Sequence, residues 1–178
     1  MYKMLLLLLA VCFLFGCSNK AANEVQTQPP PTPKISYYVN ETVRYKVPIS
    51  KDWTIKSSPN ADLFVVRNDG TFTPEPSVNI VTVKADTYDL WDKKSQAKLK
   101  AQLDKRLKSA SEANVTIGGQ RGFNLVYGME KDGVSVIFNQ TYVFHNGYFI
   151  VITASSREEE YNRFESIFKD FVKSVEFF

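Results

Sequence analysis

Three sets of residues in this 178-residue chain have types that do chemistry elsewhere. His145 is the only histidine. A nucleophilic triad needs a base, its nucleophile and an orienting acid, and a zinc site gathers several His or Cys, so one imidazole supplies neither. A place beside Tyr148 on a hairpin end accounts for it. Asp86, Asp89 and Asp92 recur every three residues, and a hard cation would accept such carboxylates. Their spacing fits no EF-hand loop, however, and they run into the first turn of a predicted helix. Acids there stabilise the helix by capping and by opposing its dipole. Gly118-Gly119-Gln-Arg-Gly122 has the composition of a phosphate cradle. Phosphate loops run from a strand into a helix, so that amides converge on the anion; this one leads into a strand and reads as a turn or bulge. The residues therefore predict no catalytic centre, no metal and no cofactor.

One thiol does sit in a reactive context. Lys3 gives a short positive start, Met4 to Phe15 form an unbroken apolar run, and Leu14-Phe15-Gly16-Cys17 closes it. Twelve apolar residues are too few for a spanning helix but suit the core of a signal peptide. The closing tetrapeptide resembles the bacterial lipobox, in which the cysteine is diacylated and becomes the mature N-terminus. Residues 1–16 then form the leader and Cys17 is the lipidation site. Two or three acyl chains hold a protein stably where one does not. Ser18 after the cysteine lacks the aspartate associated with inner-membrane retention, so outer-membrane sorting is expected in a two-membrane host.

Cys12 leaves with the leader, so disulfides are excluded and the fold must stand on its core. The 13 Phe, 9 Tyr and 2 Trp can build one. Loss of Lys3 takes the 22 basic residues to 21 against 19 acids, a formal net of +2. So balanced a charge, on an exported chain, argues against nucleic acid. Residues 18–36, SNKAANEVQTQPPPTPKIS, hold too little apolar surface to fold and read as a tether, with Pro29-Pro30-Pro31 and Pro33 favouring extension. Such a tether reaches about 25–60 Å. Residues 37–178 then make a single globular domain.

Within it, Val43–Val47 alternates as a strand, Pro48–Asp52 reads as a turn, and Trp53–Lys56 and Leu63–Arg67 as further strands. Val78–Ala85 is apolar on both alternating sets, as a strand covered on both faces would be. A helix is predicted from Trp91 to Ala110, with Leu99, Leu103 and Leu107 on one stripe. Asp132-Gly133 and Asn146-Gly147 suit the central positions of type I′ hairpins. Two-residue turns there place Tyr127 opposite Phe138, Phe123 opposite Tyr142 and Phe144 opposite Phe149. All six then share one face of a three-stranded antiparallel meander with Leu125, Met129, Val136 and Val151. The other face takes Val126, Ile137, Val143, Ile150 and Ile152 among Asn124, Asn139 and Thr141. A closing helix, Glu158 to Val175, has capping-box spacing at Ser156-Arg-Glu-Glu159 and an apolar stripe of Tyr161, Phe164, Phe168, Phe171, Val172 and Val175. The expected fold is α+β: a mostly antiparallel sheet of six or seven strands packed by two long helices.

Three features, Tyr45-Lys-Val-Pro48 with Trp53, the Gly118–Gly122 entry into the hairpins and the closing helix, resemble the Mog1/PsbP-like family of α/β/α sandwiches. That family includes small bacterial lipoproteins and the extrinsic PsbP proteins of photosystem II. The resemblance implies a non-enzymatic accessory or binding role. It carries over no functional residue, since the histidine and acidic clusters of PsbP-type metal contacts are missing. In a bacterial lipoprotein the N-glycosylation patterns at Asn40, Asn114 and Asn139 are chance matches.

The expected reading is thus a lipid-anchored protein on the outer side of a bacterial membrane, meeting an envelope protein as an accessory or assembly factor. The rival is a small-ligand or polymer binder with a pocket at the sheet edge, for which Phe72, Tyr88 and Trp91 could line a groove. On the first helix, Lys94, Lys98, Lys105 and Lys108 lie opposite the leucine stripe. They form either a solvated face or a contact for anionic lipid or an acidic partner, at about 1 kcal/mol per near-surface cation. A form lacking Cys17 separates these readings: a lipid-contacting face binds anionic liposomes at low salt and releases them at high salt, whereas a solvated face binds at neither.

Overall fold

The computed structural model describes residues 35–68, 74–84, 110–131 and 133–178. Among these residues ten strands carry the fold: β1 (Ser36–Asn40), β2 (Tyr45–Ile49), β3 (Trp53–Ile55), β4 (Leu63–Arg67), β5 (Ser77–Lys84), β6 (Ala110–Ile117), β7 (Gln120–Lys131), β8 (Val134–His145), β9 (Tyr148–Arg157) and β10 (Glu176–Phe177). One helix, α1 (Glu158–Lys173), follows β9. The main sheet has seven strands in the order β3-β4-β5-β9-β8-β7-β6, and β1-β2-β10 form a smaller sheet. Every pairing is antiparallel.

The turns set the register. Asn146 and Gly147 both have positive φ, 49° and 79°, as a type I′ turn requires. Asp132 lies outside the described residues, but Gly133 has φ 76° and Lys131 pairs with Val134. From these turns follow the pairs Tyr127–Phe138, Phe123–Tyr142 and Phe144–Phe149, as the dipeptides predict. The rings of Tyr127 and Phe138 stack at 5.3 Å, and those of Phe144 and Phe149 meet edge-on at 5.4 Å. Phe123, Leu125 and Tyr127 are buried as a cluster on this face, with Met129, Phe138 and Tyr142 against it.

The opposite face of the sheet meets α1. Phe164, Phe168 and Phe171, spaced four and three apart, are buried in one core with Val143, Ile150, Ile152 and Ala154. Leu63, Val65 and Trp53 from β3 and β4 extend that core, and Tyr45 and Val47 bring in the small sheet. Glu158, Glu159 and Glu160 put negative charge in the first turn, where the helix dipole favours it. Val175 closes the core, and β10 then pairs with β2, Lys46 bonding Glu176 at 2.8 Å.

Several expectations need correction. The strand read from Val43 starts at Tyr45, because Arg44 is held at φ 66° in the turn that joins β1 to β2. Asn40 closes that turn, its carbonyl accepting from the Arg44 amide and its side chain from the Val43 amide. Pro48 belongs to β2 rather than to a turn. The meander has four strands, since β6 pairs along all of its length with β7; its first residue is Ala110, which the leucine stripe had placed at a helix end. The rest of the predicted first helix lies outside the described residues. β5 is not covered on both faces, Val83 being 53% exposed. No capping box forms: Arg157 is the N-cap and its side chain makes no capping bond, while the Ser156 hydroxyl donates to the Arg157 carbonyl.

Gly118 and Gly119, at φ 52° and 81°, make the β6–β7 turn, which confirms the turn reading of that glycine cluster. A Cβ on Gly118 would stand 2.6 Å from the Phe177 ring. Gly118→Ala should therefore cost about 1–3 kcal/mol from backbone strain alone, before the clash. Gly133→Ala, whose Cβ meets nothing within 4 Å, should cost less. Chemical denaturation of the two variants checks the ranking.

Candidate ligand groove

Helix α1 lies over β8 and β9 and, among the described residues, leaves space on the same side of β6 and β7. The result is a groove of about 480 Å³. One wall is α1, through Glu165, Phe168, Lys169, Val172 and Lys173. The other is the edge strand β6, whose alternating Ser111, Ala113, Val115 and Ile117 face the same side. Asn124 and Val126 from β7, with Asn139 and Thr141 from β8, make the floor.

That floor is a hydrogen-bonded ladder across two strands. The Asn124 amide donates to Asn139 Oδ1 at 2.6 Å, to Thr141 Oγ1 at 2.9 Å and to the Gln140 carbonyl at 3.2 Å. Asn139 in turn donates to the Tyr161 hydroxyl on α1 at 3.0 Å. Asn139 and Thr141 are buried, and buried polar groups cost stability unless they are paired in this way. The ladder ties the helix to the sheet with a fixed offset. Burial pushes the Tyr161 phenol above its ordinary range, so it stays protonated and able to donate. On the rim, Lys169 bonds Glu165 at 2.9 Å, which raises the lysine pKa. No ion pair engages Lys173 among the described residues. The groove thus has apolar walls, a polar floor and a net positive rim.

A second hollow, about 470 Å³, sits at the β7–β8 turn among Gly133, Val134, Ser135, Arg157, Glu158 and Glu159. Its charged groups serve the fold: Arg157 meets Glu159 at 3.4 Å and the acids face the helix start.

Cys17, Phe72, Tyr88, Trp91, Lys94, Lys98, Lys105 and Lys108 all lie outside the described residues, as do Asp86, Asp89 and Asp92. Sequence reasoning placed Asn124, Asn139 and Thr141 on the correct face but did not connect them to a site. The signal was available: three short polar residues at facing positions among Val and Ile are costly unless they bond to one another. Among the described residues no group of three or more His, Cys, Asp or Glu could hold a metal ion, and no helix is long and apolar enough to cross a membrane.

Comparison with solved structures sets this architecture beside two proteins. The solution structure of cyanobacterial PsbP (CyanoP) from Synechocystis sp. PCC 6803 matches with a TM-score of 0.59 at 14% identity, over 85% of this chain and 96% of that one. The crystal structure of LpqN, involved in cell envelope biogenesis of Mycobacterium tuberculosis, matches with a TM-score of 0.57 at 14% identity, over 80% and 90%. The fold is Mog1/PsbP-like. No family model matches the sequence, and no curated protein does. In this Mog1/PsbP-like domain the seven-stranded sheet and closing helix are in place, with one helix among the described residues.

His145 pairs with Tyr148 and packs its ring 4.6 Å from that of Phe177. Desolvation lowers its pKa below 6.5, outweighing a bond to the Arg44 backbone that raises it. The unfolded chain therefore binds a proton more readily than the folded one, so stability rises with pH across the interval between the two values. Stability should be complete above pH 6.5 and decline as pH falls below it. Denaturant titrations at several pH values check this, and His145→Gln should flatten that part of the profile.

Proposed function

We propose that this chain is a non-catalytic accessory or assembly factor of the bacterial envelope, anchored by lipid at Cys17 and acting through protein interaction. The groove between α1 and β6 carries the reading. Its floor polar groups are largely engaged with one another, its walls are apolar, and its rim is charged, which suits holding a surface. Envelope placement is supported by the leader and lipobox of residues 1–17. It is supported too by the likeness to LpqN, itself involved in cell envelope biogenesis.

The rival reading, a small-ligand or polymer binder, has one observation in its favour: a groove of about 480 Å³ is within the usual range for bound small molecules, about 300–1,000 Å³. It lies at the sheet edge, as that reading requires, against β6; Phe72, Tyr88 and Trp91, offered for the groove from the sequence, are outside the described residues.

A photo-crosslinking residue at Ala113, introduced in the native host, separates the two. A protein partner gives a discrete adduct from Ala113 and none from Ile55, which is exposed on β3 at the opposite edge of the sheet. A small ligand gives no protein adduct but a bound mass in native mass spectrometry. Mass spectrometry of the same material should find an acylated Cys17 as the N-terminal residue; an intact leader or an unmodified end contradicts the anchor.

A further inference from the structure

The two edges of the main sheet differ in a way that points to use. An edge strand exposes unpaired amides and carbonyls, and proteins blunt such edges by shortness, lysine, proline or bulges. β3 is blunted by its three residues. β6 runs for eight, Ala-Ser-Glu-Ala-Asn-Val-Thr-Ile, with no Lys, Arg, Pro or Gly and one acid, Glu112. It pairs with β7 without a break, so it carries no bulge. Ser111 to Asn114 and Thr116 are exposed, and among the described residues no further strand pairs with this edge. Its twist and register are fixed by the Gly118–Gly119 turn and by ten further pairs between β7 and β8. An eight-residue edge strand with an unbroken register and no lysine, proline or bulge is a template for strand addition.

The groove gives that template a reading face. A strand laid beside β6 alternates its side chains, and every second one falls on the side of Ser111, Ala113 and Val115. Ser111 and Ala113 are small, so a long side chain from the added strand passes over them towards α1. There it meets apolar Val172 and the ammonium of Lys173, which has no ion pair among the described residues. The complement is an extended segment with long apolar side chains at alternate positions and a carboxylate among them. A second copy of β6 fits less well, since its groove-side residues are mostly small and its one acid, Glu112, lies on the other face.

We propose that β6 is a docking edge at which an extended, acidic and apolar segment of a partner protein adds as a further strand and sets alternate side chains into the α1–β6 groove. This rests on the groove being the binding site and names how the partner enters it.

The test uses the full mature chain in detergent micelles and a library of short random peptides as the probe. Selected peptides should share apolar residues at every second position with an acid between or among them, and should slow amide exchange in β6. Ala113→Lys, which turns a charge inward on the edge, should weaken binding about tenfold or more while leaving exchange in β8 and β9 unchanged. Lys173→Gln should weaken acidic peptides and leave neutral ones as they were. Peptides with apolar spacing of three and four, protection outside β6, or unchanged binding by Ala113→Lys overturn the proposal. So does a dimer in which β6 is protected without peptide. The wild-type exchange map decides even where a variant fails to fold. A partner crosslinked at Ala113 whose bound segment is helical removes strand addition alone; absence of any crosslink there removes the reading of the groove as a protein-binding site with it.

Discussion

Strand register is the constraint on which the rest of this molecule depends. Side chains alternate faces along a strand, so a slip of one residue between β8 and β9 would send Val143, Ile150 and Ile152 away from α1 and bring Phe144 and Phe149 against it. The two-residue turns at Gly118–Gly119 and Asn146–Gly147 prevent that slip, because their positive φ values hold each hairpin to one pairing. With the pairing fixed, one face becomes apolar enough to bury Phe164, Phe168 and Phe171, and the other collects the aromatics. The polar ladder of Asn124, Asn139 and Thr141 then falls where the Tyr161 hydroxyl can reach it.

The groove is a consequence of that arrangement and of a mismatch in width. Among the described residues α1 covers the middle of the seven-stranded sheet, and its phenylalanines sit over β8 and β9, near the centre. Strands β6 and β7 extend past it. Ile117 at the end of β6 is buried while Ser111 to Asn114 are exposed, so the groove is anchored at its Ile117 end. The satellite sheet braces the opposite side of the core: β10 continues from the end of α1 and pairs with β2, so the C-terminus and the first hairpin lock each other.

Much of this was legible in the residues and some was not. Asn-Gly and Asp-Gly are strong local signals, so the pairs from Phe123–Tyr142 to Phe144–Phe149 could be counted out correctly. The stripe from Tyr161 to Val175 likewise named the faces of α1. The turn before β2 was missed because Asn40-Glu-Thr-Val-Arg44 has no glycine; its left-handed residue is an arginine, stabilised by the Asn40 side chain. β6 was missed because Ala-Ser-Glu-Ala-Asn is weak strand sequence, held in the sheet by β7 rather than by its own preference. β10, two residues long, has no local signature at all. The groove was hidden for a related reason: it is the space left between elements, and its polar floor only becomes visible once register places three side chains together.

The openness of β6 is the central physical claim, and amide hydrogen exchange measures it directly. In the isolated protein, amides of β6 that point away from β7 should exchange on the timescale of solvent-exposed groups, while those of β8 and β9 persist to global unfolding. Uniform protection along β6, equal to that of β8, would mean that the edge is already covered and would contradict the account.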